Sequence, residues 1–398
     1  MHLWLCLNYM MMNKKIEIYI HIPFCVKKCD YCDFLSAPCD DETKTKYVDA
    51  LCREIEWAKD CLDEYLVDTV FIGGGTPSIL ERKQIEKILE TLRSVANVSS
   101  DAEITIECNP GTLDKEKLEA YKSAGINRIS LGLQSANDDE LKSIGRIHNY
   151  EEFKKSFNLA RLAGFNNINV DLMSALPGQT LDSYKETLSK VVALNPEHIS
   201  AYSLIVEDET PLKERVEGGL VELPNEDDER EMYYYTKEFL EKTGYKRYEI
   251  SNYAKDGFEC RHNVGYWKRV EYLGFGIGAS SLFKGKRFSN TSDVNRYINM
   301  LERDVLNADE VWESINESEE VLAQNDKLEE FMFLGLRMSD GISKSDFKNA
   351  FGTDIDSVYG DVLKKLESQE LLIIDGDRIK LTDRGIDISN QVLANFLL

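Results

Sequence analysis

The sequence predicts an α/β protein: an open, three-quarter barrel of six strand–helix units, followed by a smaller α+β domain of winged-helix-like character. Three observations predict it. Six short strand-like stretches are separated by five segments of helical periodicity, and such alternation means parallel strands joined by crossover helices. Six units are fewer than the eight of a closed barrel. Polar residues capable of chemistry fall late in those strands or just after them, where parallel α/β folds build their sites. Toward the C-terminus the pattern gives way to helices followed by a hairpin.

The elements follow in order. Ile16–Ile22 alternates apolar and polar residues, and Pro23, lacking a ladder donor, stops it. Asp41–Leu62 carries Tyr47, Leu51, Ile55, Ala58 and Leu62 at three- and four-residue steps, a helix. Val67–Ile72 is a strand running into Gly73-Gly74-Gly75-Thr76-Pro77-Ser78, and Glu81–Val95 is the next helix. Glu103–Cys108 is a strand leading into Asn109-Pro110-Gly111, then Thr112–Ala124 a helix that Gly125 caps. Arg128–Leu133 is a strand ending at Gln134-Ser135, followed by the helix Asn149–Ala163. Asn167–Leu172, Leu181–Leu194 and His198–Ile205 complete the strand–helix series.

Beyond Pro211 the chain changes character. Leu220–Asp228 is an acidic connection, Glu229–Lys242 an aromatic-bearing helix and Tyr245–Tyr253 a strand. Cys260–Trp267 is a compact polar–aromatic cluster, and Leu273–Ser281 is rich in small residues. Asn307–Asp326 reads as acidic helix, and Leu328–Arg337, Ser343–Phe351 and Ile355–Ser368 as further helices. Leu371–Ile374 and Ile379–Leu381 flank the turn Asp375-Gly376-Asp377, and Asp383–Leu397 is a terminal helix. The expected division is an extension over 1–14, the barrel over 15–215, an accessory region over 216–306 and the terminal domain over 307–398. Met10, Met11 and Met12 stand directly before Asn13-Lys14-Lys15, so translation is expected to start there.

Composition narrows the function. A net charge of −23 argues against nucleic acid or an anionic membrane as partner. No stretch is long and apolar enough to span a bilayer. Nine cysteines, an odd number scattered over 398 residues, do not form a secreted disulfide framework. Cys52, Cys61 and Cys108 read as reduced core residues, and a cytoplasmic location is expected.

The most informative stretch is Ile18–Phe34, in which Cys25, Cys29 and Cys32 stand on a loop leaving the first strand, backed by Lys27 and Lys28. Clustered thiolates bind a soft metal or an iron–sulfur cluster. Three cysteines at C-x3-C-x2-C spacing leave one iron of a 4Fe–4S cubane open to a small molecule. By spacing alone, a structural zinc site completed by Cys39, or a disulfide, remains open. The stretch resembles the radical S-adenosylmethionine (SAM) proteins, which implies an oxygen-sensitive 4Fe–4S cluster whose fourth iron is chelated by SAM. It also implies a reductant that supplies one electron, through which the cofactor carries the hard chemistry.

Further stretches narrow the resemblance. Y-I-H-I-P-F-C, G-G-G-T-P, G-L-Q-S and D-L-M-S-A-L-P resemble the coproporphyrinogen-oxidase-like branch, nearly from end to end of the chain past Ile16. That match implies Tyr19, Tyr31, Gly74, Gly75, Thr76, Glu107, Gln134, Arg146 and Asp171 as SAM contacts. The branch's oxygen-independent coproporphyrinogen III oxidases carry a fourth cysteine two positions after the third, where this chain has Phe34. C-D-F at that point is similar instead to the HemW-type haem chaperones. His262-Asn263-Val264-Gly265-Tyr266-Trp267 fits their H-N-x-x-Y-W motif, which implies that His262 contacts haem. The resemblance therefore implies a protein that binds a 4Fe–4S cluster, SAM and haem and passes haem to acceptor haemoproteins. The alternative is a coproporphyrinogen III oxidase, and a homodimer is compatible with either.

Overall fold

The computed structural model describes residues 14–302 and 308–398, so the extension and its candidate start sites, save Lys14, lie outside the described residues. Strand β1 (Lys14–Ile22) sits inside the sheet. Its Ile16, Ile18, Ile20 and Ile22 are fully buried and share the main core with Tyr47, Leu51 and Ile55 of helix α1 (Asp41–Trp57). Glu17, Tyr19 and His21 alternate to the other face. Then come β2 (Tyr65–Gly74), α2 (Arg82–Val95), β3 (Asn97–Cys108), α3 (Lys115–Ser123), β4 (Arg128–Gln134), α4 (Tyr150–Leu162), β5 (Ile168–Ser174), α5 (Leu181–Ala193) and β6 (His198–Ser203). Each of β1 to β5 pairs in parallel with the next. This is the six-unit partial barrel that the alternation predicts.

Register assembles the inner face. Glu17 stands opposite Thr69, Thr69 opposite Glu103, Glu107 opposite Ser130, Asn169 opposite His198 and Asp171 opposite Ser200. The helix-covered face is apolar and the enclosed face polar.

The sheet is wider than the sequence suggests. After α6 (Glu226–Lys242) the chain forms β7 (Lys246–Arg247), β8 (Asn252–Ala254), α7 (Arg261–Trp267), β9 (Tyr272–Phe275), β10 (Ser280–Phe283), β11 (Lys286–Asn290) and β12 (Asn316–Val321). β9 lies parallel to β1, and β10, β11 and β12 extend that edge antiparallel, while β8 and β7 extend the edge beyond β6. The single strand expected over Tyr245–Tyr253 is instead two, because Glu249 accepts from the Ser251 amide (2.7 Å) and the Asn252 side chain (2.7 Å) and turns the chain between them. Of the helix expected over Asn307–Asp326, Ala308–Ile315 is helical and is followed by the exposed edge strand β12, formed by pairing with β11 rather than by apolar periodicity; Asn307 lies outside the described residues. The terminal helix expected over Asp383–Leu397 breaks at Ile388 into Asp383–Asp387 and Ser389–Leu393.

The last part of the chain has its own core. α8 (Gln324–Gly335), β13 (Ile342–Ser343), α9 (Lys344–Phe351), α10 (Ile355–Ser368), β14 (Leu372–Asp375) and β15 (Arg378–Leu381) enclose Met332, Phe347, Tyr359, Leu363, Ile379 and Phe396. Its sheet runs β13-β15-β14, all antiparallel.

One buried acid ties the new sheet edge to the first crossover. Glu54 on α1 accepts from the Asn290 side chain (2.6 Å), the Gly276 amide (2.8 Å) and the Tyr297 hydroxyl. Burial pushes its carboxyl up to about 7. Glu54→Ala leaves those three donors without an acceptor and is expected to cost about 3 kcal/mol in chemical denaturation. A raised carboxyl means that the folded state binds the proton more tightly, so this contribution is full at low pH and is lost as pH rises to about 7. Glu54→Gln should flatten that part of the stability profile.

Candidate functional site

A cavity of about 330 Å³ opens at the C-terminal ends of the parallel strands, and Cys25, Cys29 and Cys32 all line it. The loop that carries them is held shut by its own backbone: Cys25 donates to Ala37 O (3.2 Å), and Ala37 to Pro23 O (3.0 Å). Asp30 pins the loop's middle to the wall. Its amide donates to Ile144 O (3.1 Å), its carbonyl accepts from Leu212 (2.8 Å), and its carboxylate pairs with Arg215 at 3.0 Å. The loop's chemistry-bearing face is thereby fixed before any ligand arrives.

The glycine turn after β2 packs directly on this loop. Gly75 donates to Ile22 O (2.8 Å) and Thr76 to Phe24 O (2.7 Å), while the Thr76 hydroxyl donates to the Cys25 sulfur at 3.4 Å. A Cβ on Gly75 would stand 2.7 Å from Phe24 O and 3.0 Å from Cys25 Sγ, so only glycine permits this approach. Gly74, at φ +112°, turns its amide onto Glu107 Oε2 at 3.0 Å.

Gly74, Gly75, Thr76, Tyr31, Glu107, Gln134, Arg146 and Asp171 line the same cavity as the cysteines. Arg146 donates to the Cys29 sulfur (3.7 Å), to Asn109 Oδ1 (3.0 Å) and to Gly132 O, leaving its buried Nε without a partner. Asp171 accepts from Ser130 (3.1 Å) and Asn169 (2.7 Å). Burial, and then the neighbouring Asp171, raise the Glu107 carboxyl to about 8. Burial also raises Asp171. Two buried acids facing one cavity make a place where a cationic ligand gains by drawing their carboxyls into the charged form.

Tyr19 lies one layer below the cavity wall. Its hydroxyl meets His21 Nδ1 (3.0 Å), and His21 Nε2 reaches Leu35 O (2.9 Å), so the pair braces the cysteine loop from beneath. Cys39 does not line the cavity and packs against the main core. Among the described residues no three His, Cys, Asp or Glu side chains converge on a point fit for one metal ion. A tetrahedral zinc site would hold its thiolates within about 4 Å of one another, given Zn–S bonds of about 2.3 Å. Cys25, Cys29 and Cys32 share one cavity.

His262 stands elsewhere. It is buried at 1% exposure on α7, with Nδ1 at 2.7 Å from Thr69 Oγ1 and Nε2 at 3.0 Å from the Tyr266 hydroxyl. Phe71 stacks on the ring at 5.2 Å. The backbone N–H groups of Arg261 and His262 both donate to Glu103 (3.2 Å each), so α7 plugs the polar interior away from the cysteine cavity. Burial, and then Arg128, lower the imidazole to about 3, so the ring is neutral. Glu17 beside it is raised to about 9 by burial and Glu103, so their 3.9 Å approach is not an ion pair at neutral pH. In this arrangement both ring nitrogens are taken and neither is free to ligate iron. His262→Ala is expected to cost about 3 kcal/mol of stability by denaturant titration, since two buried hydroxyls lose their partner.

Sequence reasoning passed over Asn109 and Tyr202. Asn109 links Thr76 to Arg146 (2.8 and 3.0 Å), and Tyr202 donates to Gln134 at 3.4 Å across the cavity. Their position was the available signal: both stand at strand ends.

Comparison with known proteins identifies the chain's family and fold. Residues 19–191 match the Radical SAM superfamily and residues 322–388 the HemN C-terminal domain. The chain is 38% identical over 388 residues to the "Heme chaperone HemW" of Lactococcus lactis subsp. lactis, covering 98% of this chain and 99% of the relative. It is 38% identical to the protein of the same name from Bacillus subtilis (95% and 98% covered) and 33% to that of Escherichia coli (96% and 98%). Among solved structures, the coproporphyrinogen III oxidase HemN of Escherichia coli, described as a radical SAM enzyme, superposes with a TM-score of 0.83. That match covers 100% of this chain and 93% of that one at 23% identity, a likeness of fold.

Proposed function

The chain belongs to the radical SAM superfamily and, within it, to the HemW family, and on that premise we propose that it is a haem chaperone that binds haem and hands it to acceptor haemoproteins. The observation that carries the reading is the cysteine cavity with Phe34, not a fourth cysteine, on its wall. Phe34 is 65% exposed and offers no ligand or acid–base group.

The residues present fit the groups that the superfamily implies. Cys25, Cys29 and Cys32 would hold a 4Fe–4S cluster, with Arg146 and Thr76 donating hydrogen bonds to the sulfurs of Cys29 and Cys25. The backbone of Gly74, Gly75 and Thr76 would take the amino-acid end of SAM, and Glu107 and Asp171 its cationic or hydroxyl-bearing parts. Tyr31, Gln134 and Arg146 close the remaining wall, and Tyr19 braces it from below. When bound, these cofactors supply one-electron chemistry, for which an external reductant is needed.

His262 holds α7 in place through Thr69 and Tyr266. No helix among the described residues is long and apolar enough to cross a membrane.

The test is an anaerobic pair of assays on cluster-reconstituted protein. Haemin titration is expected to give a saturable Soret band. Incubation with coproporphyrinogen III, SAM and reductant is expected to give no protoporphyrinogen. Product formation would mean that the chain is an oxidase, and an absent Soret response would remove the chaperone reading.

A further inference from the structure

Single exposed apolar residues are ordinary, but a group of them around one opening is not. Val26, Phe34, Ile147 and Ile205 are 62, 65, 61 and 68% exposed. All four stand on segments that leave the C-terminal ends of β1, β4 and β6. Phe34 lines the cysteine cavity itself. Val26 stands between Cys25 and Lys27, and Ile147 follows Arg146, all three of these neighbours lining it. Ile205 follows Tyr202, which lines the cavity, by three residues, just past the end of β6.

Charge at this mouth runs against the rest of the molecule. Lys27 and Lys28 line it in a chain of net charge −23. Lys27 reaches only a backbone carbonyl, Gly145 O at 3.4 Å. Among the described residues neither lysine has a carboxylate within ion-pairing distance, although most other lysines at the surface pair with one.

We infer that this mouth is where haem docks, its apolar face against Phe34, Val26, Ile147 and Ile205 and its two propionates on Lys27 and Lys28. The inference rests on the haem-binding reading above and adds the place. A flat apolar ring bearing two carboxylates matches a rim of exposed apolar side chains beside two unpaired cations in shape and in sign. It also puts haem over the opening that leads to the cysteines, not at the buried imidazole of α7.

The experiment is haemin titration of the full-length, cluster-reconstituted protein and three variants, with iron and sulfide measured for each. Ile147→Asp/Ile205→Asp alters the rim without touching the cysteine loop, and Lys27→Glu/Lys28→Glu reverses its charge. Leu162→Asp on α4 is the control, since Leu162 is 85% exposed far from the mouth. Haemin is expected to bind both rim variants at least about tenfold more weakly. Cluster content in the isoleucine pair and haemin affinity in Leu162→Asp should match wild type. Wild-type affinity in the isoleucine pair would overturn the site while leaving the chaperone reading standing. So would an equal loss in Leu162→Asp, or normal haemin binding with failed delivery, which would make the rim a protein dock. No Soret response in the wild type would overturn both.

Discussion

Cys29→Ala is expected to yield a folded protein with no iron–sulfur cluster. Cys29 lies on a surface loop, partly exposed, and contributes nothing to either apolar core, so circular dichroism and the denaturation midpoint should hardly move. What is lost is one of three thiols around the cavity and the sulfur to which Arg146 donates. Iron and acid-labile sulfide after anaerobic reconstitution should fall to background, with the broad iron–sulfur absorption gone. Cys25→Ala and Cys32→Ala should behave alike. Cys39→Ala should retain a full complement, because Cys39 faces the core and not the cavity. Zinc without iron in the wild type, lost on replacing Cys39, would reverse the assignment.

The second large effect is expected from a single methyl group. Gly75→Ala places a carbon 2.7 Å from Phe24 O and 3.0 Å from the Cys25 sulfur. Neither neighbour can yield cheaply, since the Gly75 amide is bonded to Ile22 O and the Thr76 amide to Phe24 O. The turn and the cysteine loop must part, which opens the wall assigned to the amino-acid end of SAM. Equilibrium dialysis should show SAM affinity weakened about thirtyfold, equivalent to about 2 kcal/mol. Gly111→Ala is the internal comparison. Its Cβ would meet nothing within 4 Å, so only the strain of φ +83° remains and SAM binding should be unchanged. Equal SAM affinity in Gly75→Ala and wild type would remove the turn from the site.

Much of this arrangement was legible in the chain. The alternation of Glu17, Tyr19 and His21 with buried isoleucines assigns the two faces of β1, and the same period puts Glu107 and Asp171 on the enclosed face of β3 and β5. The cysteine spacing and the glycine turn were local signals, and the fold brings both to one cavity. What stayed hidden depended on distant partners. β9 is four residues long, and pairing with β1 on one side and β10 on the other makes it a strand. β12 has no apolar periodicity and exists because β11 pairs with it. Asn109 and Tyr202 matter through contacts across the cavity that no spacing encodes. The motif around His262 was visible, but its burial was not: the hydroxyls that occupy the ring come from Thr69, almost two hundred residues away (|i−j| = 193), and from Tyr266.

Delivery of haem is the most direct measure of the account. Cluster-reconstituted protein saturated with haemin is mixed with an apo-haemoprotein, and the acceptor's own absorption spectrum is followed. The account predicts that the acceptor's spectrum develops as that of the donor complex decays. A donor complex that persists unchanged beside a competent apo-acceptor would contradict it.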